Sequence, residues 1–377
     1  MAEPEFTIVD SLEGIDPAAW QRLAGDNPTL SHVFLSALHE SGCASDQTGW
    51  SPRFLLLHRE GVLQGAVPLY LKTHSRGEYV FDHSWADAFH RHGLAYYPKL
   101  LSAIPFTPVT GSRLLAHTPQ DSVLLARAAL QVARQLDTSS LHILFPDAAS
   151  KQALTAAGYM LREGVQFHWE NHGYADLDAF LATMKMEKRK KLRQDRRRVH
   201  DAGIHFAHLA GAAISDEVLR FFYSCYVATY QAHYSRPYLS LAFFQRLLAE
   251  MPDKLMIVLA KRGDTPVAVA LNLVGGNVMY GRYWGTTEFV SGLHFETCYV
   301  QSIEYCIRHG IASFEGGAQG VHKMSRGLVP TPTWSAHWIA DERFADAIAD
   351  FLAQETAAMD DYIDELAEHI PFKDGQK

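Results

Sequence analysis

Two stretches of this chain repeat one pattern at an offset of 202: residues 54–71 read FLLLHREGVLQGAVPLYL, and residues 256–273 read MIVLAKRGDTPVAVALNL. Each is an apolar run, a charged turn carrying a glycine, and a second apolar run, which is the signature of a β-hairpin. At that single offset Gly61 aligns with Gly263, Ala66 with Ala268, Val67 with Val269 and Leu69 with Leu271. A repeat in similar surroundings points to a duplicated domain, and 377 residues are enough for two cores. Helical patterns at 17–23 and 33–41 precede the first hairpin, and others at 215–231 and 240–251 precede the second. In the latter, Val218, Leu219, Phe222 and Tyr226 recur at helical spacing, with Asp216 and Ser240 near the helix starts. After the first hairpin the pattern predicts a strand at 106–115, a helix at 122–136, a strand at 141–145, a short helix at 151–157 and a strand at 159–169. After the second it predicts a strand at 278–283, a helix at 295–309 and a strand at 312–315. The order α–α–β–β–β–α–β gives an α/β (α+β) fold with mixed sheets flanked by helices.

The halves differ by an insertion, residues 74–105, dense in aromatic and polar groups and read either as a lid or pocket wall or as a surface subdomain with its own small cluster. It puts Asp82 and Trp85 forward as substrate contacts.

Apolar residues make up 47% of the chain and charged residues 20%, a balance that argues for a folded protein and against disorder. No apolar run reaches the roughly 20 residues that span a bilayer. The N-terminus MAEPEFTIVDSLEGID lacks a basic region followed by an apolar one, so no secretory signal is expected and the cytoplasm is the expected location. The cysteines 43, 225, 298 and 306 have neither disulfide nor metal spacing, and no metal site is expected. The formal net charge is −8, but it is unevenly spread. From Lys185 to Arg198 nine basic residues stand against Glu187 and Asp195, a local charge of +7. From Asp341 to Glu368 ten acidic residues stand against Arg343, a local charge of −9, on an amphipathic helical pattern. The basic run suits RNA, nucleotide phosphates or an anionic surface; neutralisation by the acidic run is the competing account.

Two segments carry candidate chemistry. In Tyr280-Gly-Arg-Tyr-Trp-Gly285, glycines bracket three bulky residues at a strand end, where the backbone can bend towards a ligand. Arg282 offers a donor fork, and His294 and Glu296 open the following helix, where a general base can sit. In Phe314-Glu-Gly-Gly-Ala-Gln-Gly320, Glu315 ends a strand and the loop amides can face a ligand, with Gln319, His322, Lys323 and Arg326 beside it. No phosphate-loop, dinucleotide or nucleophile-elbow spacing is present.

Taken together, Ser31-His-Val-Phe-Leu35, Tyr79-Val-Phe-Asp-His-Ser-Trp-Ala86, Tyr97-Pro-Lys-Leu100, Pro105-Phe-Thr-Pro-Val-Thr-Gly111, His168-Trp-Glu-Asn171 and Ser335-Ala-His-Trp338, with the basic run and the two segments above, resemble the predicted N-acyltransferases of the peptidoglycan-biosynthesis-like GNAT group, relatives of the Fem aminoacyltransferases. The resemblance implies tandem GNAT-like domains, a basic helix opening the second, and transfer of an acyl or aminoacyl group to a primary amine of a small molecule or cell-wall precursor. Acyl-CoA and aminoacyl-tRNA are the donors it implies, with tRNA meeting the Lys185–Arg198 run. The usual Q/R-x-x-G-x-G/A loop that holds coenzyme A is missing: residues 280–295 hold only Gly281, Gly285 and Gly292, and residues 110–122 only Gly111. The expected domains are 1–178, 179–340 and an acidic segment 341–377. Expected in catalysis are Glu296 or Glu315 as base with His294, and Tyr283 or Tyr299 as proton donor. Arg282, Trp284, Gln319, His322, Lys323 and Arg326 are expected to hold substrate, and Gly281 and Gly285 to meet the donor. Two other readings stay open: a non-catalytic binder of RNA or an anionic precursor, and an acetyl-CoA-dependent N-acetyltransferase.

Overall fold

A computed structural model describes residues 3–317 and 320–373. It divides into two compact units, Met1–Gly164 with Pro332–Tyr362, and Val165–Thr331 with Ile363–Lys377. This division differs from the boundaries expected at 178/179 and 340/341. The chain passes from one unit to the other inside the long strands β9 (Met160–Glu170) and β15 (Val329–Ile339), and α11 (Glu342–Glu368) contributes to both units instead of forming a third piece.

In the first unit, β1 (Glu5–Val9), β3 (Phe54–Arg59), β4 (Val62–Val67) and β7 (Leu115–Ala116) form one sheet in the order β1-β3-β4-β7. The segment of β15 in this unit, β8 (Ser140–Leu144), β6 (Lys99–Ser102), β5 (Tyr70–Lys72) and β2 (Trp50–Pro52) follow one another in a second run of strands. Helices α1 (Pro17–Ala24), α2 (His32–Glu40), α3 (His83–Arg91), α4 (Pro119–Gln135) and α5 (Ala148–Ala156) complete it. Asp16 caps α1 ahead of Pro17, whose missing N–H and fixed φ suit the first helical turn. Leu55, Leu57, Leu125, Ala129, Leu141 and Ile143 belong to one buried cluster between strands and α4.

The strand expected over 106–115 shrinks to Leu115–Ala116. Pro105 and Pro108 cannot donate to a ladder, Phe106 has a φ of 59°, and the buried Arg113 guanidinium replaces the ladder by donating to the carbonyls of Leu144 at 2.8 Å and Val109 at 2.6 Å. The insertion 74–105 is not a lid. It supplies α3 and β6 to the interior, and Trp85, Phe89 and Tyr96 pack with Ile339, Ile348 and Leu352.

The second unit orders its strands β10-β11-β12-β13-β14-β9, with β10 (Ile204–Ala210), β11 (Leu255–Arg262), β12 (Thr265–Gly275), β13 (Val278–Thr286) and β14 (Ser313–Glu315). All neighbours are antiparallel except β13 and β14. Its helices are α6 (Leu177–Thr183), α7 (Met186–Asp201), α8 (Asp216–Ala232), α9 (Leu241–Glu250) and α10 (residues 293–309). Ser215 and Ser240 cap α8 and α9, accepting from the Val218 and Phe243 amides. Both repeated hairpins form with two-residue turns, Arg59 pairing with Val62 and Arg262 with Thr265. The turn glycine is second in the first hairpin and first in the second, so the sequence alignment is one residue out of step with the turns.

Candidate functional site

The second unit opens where its two parallel strands part. β13 and β14 pair over three positions only, Val278 with Ser313, Met279 with Phe314 and Tyr280 with Glu315. β14 then ends at Glu315, while β13 runs on to Thr286. At the same place β13 carries a bulge: Gly281 faces Asn272 and Tyr283 faces Leu271, leaving Arg282 between them as the extra residue. A bulge breaks the strict in-out alternation of a strand and re-aims side chains. Gly281, Arg282, Tyr283 and Trp284 accordingly all line one cavity of about 250 Å³.

Two helices complete the walls. From α8 come Tyr226, Thr229 and Tyr230, one face of the helix by their spacing. From α10 come His294, Cys298 and Tyr299. Here α10 is not a regular helix: Leu293–Phe295 lead into a π turn, Glu296–Val300, before Gln301–His309. π turns recur at functional sites because they displace consecutive side chains from regular helical positions, and this one places Cys298 and Tyr299 side by side on the cavity. Phe314, Gly316 and Asn272 also line it.

The two expected donor-contacting glycines separate. Gly281 lines the cavity, and a Cβ there would come within 3.0 Å of the Phe314 ring and 3.3 Å of the Glu315 carbonyl oxygen. Gly285 serves packing, since a Cβ would fall 2.5 Å from the Cys225 carbonyl oxygen of α8.

The cavity is electropositive, and among its described lining residues there is no carboxylate. Burial, then the nearby His322, Lys323 and Arg326, hold the His294 imidazole down to about 4, so it is neutral at pH 7. Lys323 is 3% exposed, donates to the Gly317 carbonyl at 2.8 Å, and is pushed down to about 8 by burial. Its stem lies behind the cavity wall, with its Cδ 3.4 Å from a Cβ built at Gly316. The His322 imidazole is lowered by burial and by Lys323. Its ring lies 5.5 Å from that of Phe295 and 6.4 Å from that of Tyr299. Burial raises the Tyr299 phenol and the Cys298 thiol above their usual ranges. The Arg282 guanidinium carbon sits 5.0 Å from the Tyr283 ring centroid.

Other expected residues lie elsewhere. Glu296 is buried behind α10, 3.1 Å from Arg196 Nε of α7 and accepting from Gln301 Nε2 at 2.8 Å. Burial raises its carboxyl, with Arg196 opposing. It is not on the cavity wall, because the π turn points its neighbours there instead. Glu315 alternates with Phe314 and Gly316 along the chain, so it faces away from the side those two line. Arg326 is 3.3 Å from Asp195, with its guanidinium 4.3 Å from the Phe295 ring. Gln319 lies outside the described residues. Asp82 and Trp85 belong to the first unit and are 3% and 5% exposed. Asp82 accepts from Tyr96 Oη at 2.7 Å and pairs with Lys99, which also bonds Glu78 at 2.7 Å. Tyr96 continues to His142 at 3.0 Å, and His142 to His337 at 2.7 Å. This is an internal polar network, not a substrate surface.

Sequence reasoning missed Tyr226, Thr229, Tyr230, Asn272 and Cys298. A signal for the first three was there: Tyr226 ends the helical stripe already noted, and Thr229 and Tyr230 continue it at i+3 and i+4.

With this geometry in view, comparison with known proteins is informative. A family model, FemAB-like, described as peptidoglycan biosynthesis/recognition, matches residues 11–374. The chain belongs to this family. No curated protein sequence matches it. This FemAB-like protein is similar in structure to FemX, at 13% identity and a TM-score of 0.55 over 92% of this chain and all (100%) of that one. It is similar to the C-terminal domain of a putative lysylphosphatidylglycerol synthetase from Agrobacterium fabrum, at 10% identity and a TM-score of 0.55 over 91% of this chain and 96% of that one. L-PGS from Bacillus licheniformis matches at 11% identity and a TM-score of 0.53 over 91% and 96%. At these identities the likeness establishes the fold alone, a mixed α/β architecture with helices flanking the sheets. Among the described residues, no helix is long and apolar enough to cross a membrane and no cluster of His, Cys, Asp or Glu could hold a metal ion.

Proposed function

We propose that the second-unit cavity is where an acyl or aminoacyl group passes to a primary amine, with a cell-wall precursor as the acceptor class that family membership favours. The observation that carries this reading is a splayed-strand cavity holding a guanidinium, a neutral imidazole and phenols, with no carboxylate on its described walls. Such a site disfavours added positive charge. Burial has the same effect on the nearby Lys323, whose amine is pushed down to about 8. An amine entering the cavity loses its proton for the same reasons and becomes a nucleophile. Its nitrogen attacks the carbonyl carbon, a C–N bond forms, and the C–O or C–S bond to the donor breaks. Arg282 and the Tyr299 hydroxyl are the donors suited to the oxyanion and leaving oxygen. His294, on the cavity wall and neutral at pH 7, is suited to accept the amine proton. Glu296 acts as a positioning residue that ties α7 to α10.

The basic helix supports aminoacyl-tRNA as donor. The ion pairs of α7 go to Asp178, Asp195, Glu296 and Glu304, and those of α11 and the Asp341 preceding it go to Arg162 and Arg343. Lys188, Arg189, Lys190 and Arg197 make no ion pair among the described residues, and a groove of about 470 Å³ is bordered by Met186, Arg189, Lys190, Arg193, Gln194 and Arg197. Polyanion binding there follows from the charge alone.

The test is label transfer from aminoacyl-tRNA or acyl-CoA to peptide amines by wild type, Arg282→Ala and Tyr299→Phe. Loss of an oxyanion donor lowers the rate about 100- to 1,000-fold. Turnover unchanged in both variants would remove the cavity from the reaction. Tight, salt-sensitive binding of tRNA without any turnover would support the binding-protein reading instead.

A further inference from the structure

The shape and chemistry of the cavity also specify what kind of group enters it. Its described walls hold one charged side chain, Arg282, at the strand bulge. The rest of the lining includes Tyr226, Tyr230, Leu271, Trp284 and Phe314, with Asn272, the strand partner of Gly281, the one amide. Glu296 and Glu315, the nearest acids in sequence, are turned away from it by the π turn and by strand alternation. An ammonium or guanidinium at the end of a guest side chain would therefore be desolvated beside a fixed cation with no counter-charge, which is the costliest arrangement for a buried ion. Volume sets a second limit. An apolar cavity of about 150 Å³ holds benzene, so by proportion 250 Å³ holds about ten non-hydrogen atoms.

Resting on the acyl-transfer reading, we propose that the transferred group is uncharged and apolar or aromatic at its tail, of about ten non-hydrogen atoms or fewer, and that cationic groups of the lysyl or arginyl kind are rejected. Arg282 takes the polar end, where the carbonyl oxygen lies. Asn272 is the one amide of the described lining: it is 1% exposed, and its amide nitrogen has Met256 Sδ at 3.5 Å. A carboxylate in its place would supply the missing counter-charge with almost no change in shape.

The experiment uses the full chain and the hydroxamates of alanine, leucine, phenylalanine, lysine and glutamate, each acylated on the α-amine, read by thermal shift and by competition with label transfer. The expected result is a rise of about 2–4 °C at ten times Kd for the leucine and phenylalanine probes, and none for lysine. Asn272→Asp is expected to reverse the order, favouring the lysine probe by at least tenfold in Kd. Tyr230→Glu, at a half-buried helix position, gives the same reversal if the strand variant fails to fold. Equal or tighter binding of the lysine probe to wild type overturns the specificity inference and leaves the acyl-transfer reading intact. Preference for the glutamate probe overturns the apolar assignment in the same way. No binding by any probe, with label transfer also unaffected by Arg282→Ala, overturns both.

Discussion

Replacing Lys323 with methionine should make the protein more stable at neutral pH while removing a residue of the site. Lys323 Nζ is buried, has the Gly317 carbonyl at 2.8 Å, and falls from 10.5 to about 8 in the folded state because burial disfavours its charge. Between those two values the unfolded chain holds a proton that the folded chain has released. Stability therefore rises with pH through this window and is lowest below pH 8, where the folded state must carry a buried ammonium. A difference of about 2.5 pKa units corresponds to about 3 kcal/mol, of which about 2 kcal/mol is recovered between pH 7 and pH 9.5. Methionine has similar length and no charge, so the variant loses the pH-dependent term and one hydrogen bond worth about 1 kcal/mol. The expected outcome is a Lys323→Met advantage of about 2 kcal/mol at pH 7 that shrinks to near zero by pH 9.5. Urea unfolding of both proteins at half-unit pH steps, followed by tryptophan fluorescence, measures the difference directly. A difference that stays flat from pH 7 to 10 would refute the claim that this lysine is desolvated. So would one that grows with pH.

Three further outcomes follow from the same structure. Gly285→Ala, whose Cβ would lie 2.5 Å from a backbone oxygen of α8, should destabilise by at least about 2 kcal/mol; a thermal melt within 1 °C of wild type would contradict the packing role assigned to this glycine. Asp82→Ala should leave Lys99 short of a buried partner and lower stability by about 3–5 kcal/mol, read by urea midpoint, with probe affinity at the second-unit cavity unchanged where the variant remains folded. Replacing Arg189, Lys190 and Arg197 by glutamine should weaken tRNA binding and reduce the slope of log K against log salt by about 2–3; an unaltered slope, measured by filter binding from 50 to 250 mM salt, would separate the basic groove from nucleic acid.

What the sequence made legible, and what it hid, divides along the range of the interactions involved. The hairpins, helices and their caps are local: a turn glycine, a serine three residues ahead of its amide, an apolar stripe at helical spacing. The expected strand 278–283 and helix 295–309 therefore lie within two or three residues of β13 and α10. The cavity depends on two irregularities that no periodicity announces, the Arg282 bulge and the π turn at Glu296–Val300. Both insert a residue into a regular pattern, and both change which side chains face inward. That is why the segment Tyr280–Gly285, legible from its glycines, lines the cavity while Glu296, expected as a base, does not. Read as an ordinary helix start, the segment puts His294 and Glu296 in plausible reach of one substrate; the π turn gives the cavity to His294, Cys298 and Tyr299 and leaves Glu296 to Arg196. Asp82 is turned inward for a different reason. Its partners Lys99, Tyr96 and His142 come from β6, the loop before it and β8, so its burial is a property of the assembled sheet. The dense aromatic and charged composition of 74–105 suits either an exposed binding wall or an internal network. Only the full set of hydrogen bonds, from Ser75 through Lys99 to His337, shows that this protein folds those polar groups inward, where Lys99 is held by Glu78 and Asp82.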